Sequence, residues 1–590
     1  MKLKIIHHIL ICSIVSLSQI IAEQDPIRPH YQTDETKTHS HYRKHKKEYD
    51  YIIVGDGTAG AILARKLSDG NKSSVLVLEW GENRTADPVV LSPNVFEFLE
   101  PLAYDPLYAI NYSVPLHLAP FGKNLDIFIY TDGRMWGGSS AHNGLFAVRG
   151  TPLVYNQWSL LTNDPQWSYA SLLPLMKAME NYSPTGTIAN PAQRGFGGPL
   201  SITQALPVNN DRFAQGVSIG SGTSIISDYN DPSLGNVGIS AHQQWITTGP
   251  NSERSFSALD FHPVGEIVDA NGKGLNGRKL NIKSKSLVDR VIFKNKKAIG
   301  VDYISANNTQ STRSTAYAKK MIILSAGSNQ TSAILQRSGI GPQALLDNLG
   351  IEVIVDNPHV GAHLFNHYGP NTTMTATTSA FPFLQGFIDG HNPVVPAAGM
   401  PADGVRRIQL TGFNASATTA SLEALMIQPH SQGTVEIVST DPTVYPRINL
   451  NFFSDGPVTQ PGTDSYLAVA ALKIIKNVAL SLGADLIFPA PELFPAPYGP
   501  AVDDSLLLDY SKALTVNGAI AYHNVGTARM ADSIENGVVD SNLRVFGVKH
   551  LMVADCSIEP VIEDGNTAYG AYVIGLNAAK ILGVPVPPAL

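Results

Sequence analysis

Asp50-Tyr51-Ile52-Ile53-Val54-Gly55-Asp56-Gly57-Thr58-Ala59-Gly60-Ala61-Ile62-Leu63-Ala64-Arg65-Lys66-Leu67 decides how this chain folds. A short, mostly apolar run, a G-x-G-x-x-G spacing and a helix-forming run read as strand, glycine turn and helix. Gly55 allows the tight turn, Gly57 lets backbone approach a pyrophosphate, and Gly60 lets the helix pack on the strand, while the helix N–H groups of Thr58 and Ala59 face phosphate. Asn71 to Ser74 then turn the chain into Val75-Leu76-Val77-Leu78, which ends at Glu79. That carboxylate stands 19 residues after Gly60, where a ribose hydroxyl needs an acceptor.

Two further matches in the chain lack that context. Gly272-Lys273-Gly274-Leu275-Asn276-Gly277 follows the polar Asp269-Ala270-Asn271 and leads into a strand-like run at Lys279 to Ile282, so it reads as a hairpin turn. Gly216-Val217-Ser218-Ile219-Gly220 has the spacing of a hydrolase nucleophile elbow, but Asn209 to Arg212 precede it where that elbow requires an apolar strand. Ser218 is expected in an ordinary helix or loop.

Composition bounds the rest. With 590 residues and 43% hydrophobic content the chain can bury a large core in two or more domains. Charged residues are 15% of the chain and the net charge is −7, without a polybasic stripe, which argues against a nucleic-acid partner. The two cysteines, Cys12 and Cys556, build neither a disulfide framework nor a thiolate metal site. No metal is expected.

Lys2 and Lys4 precede a mostly apolar run from Ile9 to Leu17, with the small residues Ser16, Ser18 and Ala22 at and beyond its end, the pattern of a secretory signal over residues 1–22. The run is too short to span a bilayer, so export without stable membrane insertion is expected. Residues 23–47, polar and carrying His30, His39, His41 and His45, read as a flexible linker.

Later segments carry a resemblance. Gly133-Arg134-Met135-Trp136-Gly137-Gly138-Ser139-Ser140-Ala141-His142-Asn143 follows an apolar run at Ile127 to Tyr130 and places two adjacent glycines in a polar turn. Together with the first motif, and with Gly327 to Gly341, Val360 to His367 and Ser431 to Val435, it resembles the glucose–methanol–choline oxidoreductase family across roughly residues 48–585. The resemblance implies FAD rather than a nicotinamide dinucleotide, and an α/β and α+β architecture: a Rossmann-like FAD-binding domain with a substrate domain built on an antiparallel sheet. The boundaries it suggests are 48–165, 265–345 and 515–590 for the FAD-binding domain and 166–264 and 346–514 for the substrate domain. It also implies cofactor contacts at Gly137, Gly138, His142, Asn143, Val288, Asp555 and Thr567.

Ala521-Tyr522-His523-Asn524-Val525-Gly526-Thr527 looks like the family segment bearing its catalytic histidine, and Asp564-Gly565-Asn566-Thr567-Ala568 matches the place where the family supplies a second His or Asn. An imidazole with its ordinary pKa of about 6.5 suits proton transfer from a hydroxyl. The Asn566 amide donates a hydrogen bond without titrating, leaving acid/base work to His523. The expected reaction takes an alcohol to a carbonyl by hydride transfer to flavin N5, with O2 or another acceptor receiving the electrons. A hydroxynitrile lyase of the same fold is the alternative, although that branch resembles a chain with His at position 566. Cys556, beside Asp555, is assigned to packing.

His142 departs from the aliphatic residue usual in the family signature. Its surroundings are similar to those of the choline oxidases, whose equivalent histidine is joined to the flavin 8α-methyl, so the resemblance implies a covalent tether. A hydrogen-bonded histidine without that bond is the competing reading. The alcohol itself is not readable: Phe381-Pro382-Phe383-Leu384 lines a pocket or packs in the core with equal ease.

Overall fold

Strand Glu48–Val54 runs parallel to Val75–Leu78 on one side and to Ser314–Leu324 on the other. Ile52, Ile53 and Val54 are buried, as the apolar run requires of a central parallel strand. This pairing is seen in a computed structural model that describes residues 48–94, 104–123, 125–185, 190–205, 208, 211–306, 313–375, 384–389, 406–416, 418–483, 486–487, 503–516 and 519–586. The signal, the His-rich linker, Cys12 and Phe381 to Phe383 lie outside the described residues.

The sheet built on Glu48–Val54 has seven strands. Its order is Ser286–Lys294, Lys297–Ser305, Ser314–Leu324, Glu48–Val54, Val75–Leu78, Leu280–Lys283, with Leu551–Val553 also pairing on Ser314–Leu324. Segments from the start, the middle and the end of the chain therefore share one sheet. Helix Thr58–Ser68 buries Ala61, Ile62, Leu63 and Leu67 against it and packs on the C-terminal helix Ala568–Ile581. At that crossing a Cβ on Gly575 would stand 3.0 Å from Ala59 Cα, so the two helices approach along bare backbone.

A second sheet of six strands orders Leu486–Ile487, Asn371–Thr375, Thr419–Met426, Arg406–Ser416, Leu384–Asp389, Gly238–Ala241, antiparallel throughout. One face carries Leu384, Ile388, Ile408, Leu410, Leu422 and Ala424 into a core shared with helices Arg212–Ser221 and Asp464–Leu482. The latter helix is long and apolar enough to cross a membrane, but most of it is buried in this core.

Both look-alike motifs resolve as the sequence suggests. The Gly272 to Gly277 segment is a turn whose arms bridge at Lys273–Asn281 and Val268–Gly274. Ser218 lies inside helix Arg212–Ser221 with its hydroxyl donated to the Thr223 carbonyl. Gly216 and Gly220 serve packing, because a Cβ there would stand 2.2 Å from Leu482 and 2.3 Å from Val478 on the facing helix.

Candidate functional site

The glycine turn after Glu48–Val54 is held by three different constraints. Gly55 has φ +96° and a Cβ on it would lie 2.4 Å from the Ser325 carbonyl oxygen. Gly60 sits under the turn, where a Cβ would lie 2.1 Å from the Gly55 oxygen. Gly57 is different: its φ is −76°, and a Cβ would meet only Ser325 O at 3.8 Å and Gly138 Cα at 3.9 Å. Its bare backbone answers no need of the protein's own packing, and it faces a cavity.

That cavity runs from Gly55, Gly57, Thr58, Ala59 and Glu79 past Gly138 and Val288 to Asp555, Cys556 and Thr567. Three helices begin on it, Thr58–Ser68, Gly327–Arg337 and Ala568–Ile581, and none has its first N–H groups capped by its N-cap side chain. The Gly327 N–H is taken by Asp555 and the Gly570 N–H by Glu563, so it is the start of Thr58–Ser68, together with the positive ends of the dipoles, that gives the cavity the chemistry of a diphosphate site. Glu79, at the end of its strand, accepts hydrogen bonds from the backbone N–H of Asp56 (2.8 Å) and Gly81 (2.7 Å), and burial pushes its carboxyl up to about 7. Asp555 accepts from Thr331 Oγ1 (2.6 Å) and the Gly327 N–H (3.0 Å), tying the last strand to the helix Gly327–Arg337; burial raises its carboxyl. These residues fit a dinucleotide cofactor such as FAD: unfilled donors for phosphates, a carboxylate at the strand end for a ribose, bare backbone between them.

The second glycine turn leans on the first, since a Cβ on Gly138 would lie 2.7 Å from Gly57 Cα. Gly137 does not line the cavity. Its φ of +92° makes the turn, and its N–H donates to the Asp56 carbonyl (2.7 Å). Asn143 does not line the cavity either: its Oδ1 accepts from Arg254 Nη1 (2.9 Å) and the Leu145 N–H (3.0 Å), so it braces the loop that follows. His142 is buried, its N–H donating to the Ser139 carbonyl (3.1 Å), and is not among the residues lining the cavity.

His523 and Asn566 meet although 43 residues separate them. Asn566 Nδ2 stands 3.3 Å from His523 Nε2, and Asn566 Oδ1 accepts from Gln409 Nε2 (3.1 Å). With its oxygen engaged by Gln409, the amide presents its N–H2 to His523, so Nε2 is the unprotonated nitrogen. The His523 proton is then on Nδ1, directed at Nδ1 of His367 2.9 Å away. Asn366 fixes the backbone here by accepting the His523 N–H (3.0 Å) and donating to the Ala521 carbonyl. Burial pushes the His523 imidazole down to about 4 and His367 further still, so both are neutral near pH 7. Tyr522, Asn524 and Thr567, the chain neighbours of the pair, line the cavity, which puts the pair at its end.

His367, Gln409 and Asp132 have no role in the sequence reading. His367 lies inside the quoted Val360 to His367 segment, four residues before the strand Asn371–Thr375 of the second sheet, and only its spatial approach to His523 shows its use. Asp132 lines the cavity, accepts from Asn329 Nδ2 (2.9 Å) and is pushed up to about 6 by burial. Asp56, between the glycines, pairs with His262 Nε2 (3.0 Å) in the interior. Cys556 is partly exposed to the cavity and packs on Phe365, Val525 and Ile562, burial holding its thiol protonated.

Comparison with known proteins agrees with this geometry. Profiles of the GMC oxidoreductase family match residues 49–238 and 272–369 with the N-terminal part and 429–575 with the C-terminal part. The chain is 28% identical to the GMC oxidoreductase family protein Mala s 12 of Malassezia sympodialis, over 91% of this chain and 92% of that protein. It is also 28% identical to an oxygen-dependent choline dehydrogenase of Pseudomonas savastanoi pv. phaseolicola, over 92% and 95%. The crystal structure of pyridoxine 4-oxidase from Mesorbium loti shares the fold, with TM-score 0.74 and 22% identity over 90% of this chain and 98% of that one. With its glycine turn, the open helix start at Thr58 and its family profiles in agreement, the chain belongs to the GMC oxidoreductase family.

Proposed function

We propose that this FAD-dependent oxidoreductase converts an alcohol to a carbonyl compound, with His523 as the base that takes the hydroxyl proton. The observation that carries this reading is the bare Nε2 of His523 beside the Asn566 amide at the end of the cavity. Bound FAD would supply the hydride acceptor, held by the Gly55–Gly60 turn, Glu79, Val288, Asp555 and the helix start at Thr567.

The chain's own part is proton handling and positioning. A substrate hydroxyl at the pair donates to His523 Nε2 and accepts from Asn566 Nδ2, which steadies the alkoxide as it forms. His367 keeps the His523 proton on Nδ1, so the lone pair stays on the nitrogen that faces Asn566. Gln409 fixes the orientation of Asn566. Asn566 in place of a second histidine supports oxidation over cyanohydrin cleavage. Electrons leave to O2 or another acceptor, and the signal-like residues 1–22 support an exported enzyme. Anaerobic mixing with a panel of alcohols tests the reading: bleaching of the flavin by at least one supports it, and no bleaching by any overturns it.

A further inference from the structure

The second sheet has one apolar face, buried against helices, and a mixed face on which a polar row stands beside the apolar Phe387 and Leu425. Cross-strand register places Asn371 opposite Glu423, Glu423 opposite Thr411, and Thr411 opposite Gln385, one row across four strands on a single face. The next row on that face includes Gln409, which holds Asn566. The face therefore roofs the catalytic pair. Two residues along a strand rise about 6.7 Å, so the row lies about that far along the sheet from Gln409, the residue that holds Asn566.

This row is chemically incomplete. Gln385, Gln409 and Thr411 are almost wholly buried, yet Gln385 Nε2 and Oε1, Gln409 Oε1 and Thr411 Oγ1 have no hydrogen-bond partner among the described residues. Glu423 has neither an ion-pair nor a hydrogen-bond partner among the described residues, and burial pushes its carboxyl up to about 7. Buried polar groups are costly unless a partner is supplied, and a cluster of them beside a reacting centre marks where a ligand supplies one. The set needs both kinds of partner. Gln385 Nε2 needs an acceptor, whereas Gln385 Oε1, Gln409 Oε1 and the Glu423 carboxylate need donors.

We propose that the Glu423–Thr411–Gln385 row, with Gln409 Oε1, is the subsite that recognises the non-reacting part of the substrate, and that the substrate is a polyhydroxylated alcohol. This rests on the alcohol-oxidising reading given above. Hydroxyl groups both donate and accept, so a polyol satisfies every group in the row. A quaternary ammonium alcohol gives Gln385 neither a donor nor an acceptor, and an aryl or alkyl alcohol leaves the whole row unpaired. A site built to hydrogen-bond a substrate discriminates strongly against analogues that cannot.

The test is anaerobic reduction of the FAD-loaded enzyme by D-glucose, sorbitol, choline, benzyl alcohol and 1-butanol, followed by the same series on Gln385→Leu, Thr411→Val and Glu423→Gln. The expected result is reduction by one or both polyols, with KM for that polyol raised about tenfold or more in Gln385→Leu and kcat changed much less, the mark of lost binding rather than lost chemistry. Benzyl alcohol or butanol should gain on the polyol in Gln385→Leu and Thr411→Val, a gain that general loss of structure does not produce. Reduction by choline, benzyl alcohol or butanol but not by the polyols overturns the polyol assignment and leaves the alcohol-oxidising reading standing. Reduction by no alcohol overturns both. Unchanged polyol KM in all three variants removes the row from the substrate site.

Discussion

Nδ1 of His523 lies 2.9 Å from Nδ1 of His367, so two imidazoles share one proton-bearing contact on the side of His523 away from Asn566. Two protonated rings cannot face each other this way, and both pKa values are lowered by burial, that of His523 to about 4. The working form is the neutral base, present above the lowered pKa and lost as pH falls through it.

The pH profile follows from that sign. The rate of flavin reduction at saturating alcohol should stay level from neutral pH down to about pH 5 and fall about tenfold per unit below pH 4, instead of breaking near the ordinary histidine value of about 6.5. Anaerobic flavin reduction across this range checks it. A break near 6.5 means that His523 titrates as a solvated histidine.

The glycine turn separates folding from cofactor grip. Gly57→Val has ordinary φ and open space on its cavity side, so the apoprotein should melt near the wild-type apoprotein while the purified enzyme is colourless. Gly55→Val meets φ +96° and a carbonyl at 2.4 Å, and should lose roughly 1–3 kcal/mol or more of stability from backbone strain. Thermal melts of both apoproteins and flavin absorbance per chain distinguish the two; a Gly57→Val protein that retains full colour removes that residue from the cofactor site.

His142 carries the prediction of a covalent flavin. Its own side chain does not line the cavity, but it follows directly on the turn whose Gly138 and Ser139 do, so the tether requires the ring to turn toward them; a bond to the cofactor would tune its electronics. Flavin fluorescence should travel with the polypeptide after acid denaturation and gel separation, and should be lost from it in His142→Ala. Complete release of flavin from the wild-type chain contradicts the tether and leaves FAD binding intact.

Much of the nucleotide half was legible because its signals are local. Strand, turn and helix from Glu48 to Ser68 are adjacent in sequence, and the false match at Gly272 failed for want of the same neighbours. The helix Ala568–Ile581 has Thr567, where the resemblance expected a contact, as its N-cap on the cavity. Motif position does not show which way a side chain or a turn is spent: Gly137 and Asn143 do not line the cavity, and Arg254, 111 residues away, takes the Asn143 oxygen. The substrate face was not legible at all. Gln385, Thr411 and Glu423 come together only through antiparallel register among three strands, and each alone looks like a surface polar residue.

Rapid anaerobic reduction of the bound flavin by the best alcohol tests the central claim most directly. His523→Ala with full FAD content should reduce at least about 10²-fold more slowly than wild type, the usual scale for removing a general acid/base. Asn566→Ala should slow it by roughly 10 to 10³ if its amide is one donor to the alkoxide. Unchanged reduction rates in both FAD-loaded variants would place the chemistry elsewhere and contradict the account.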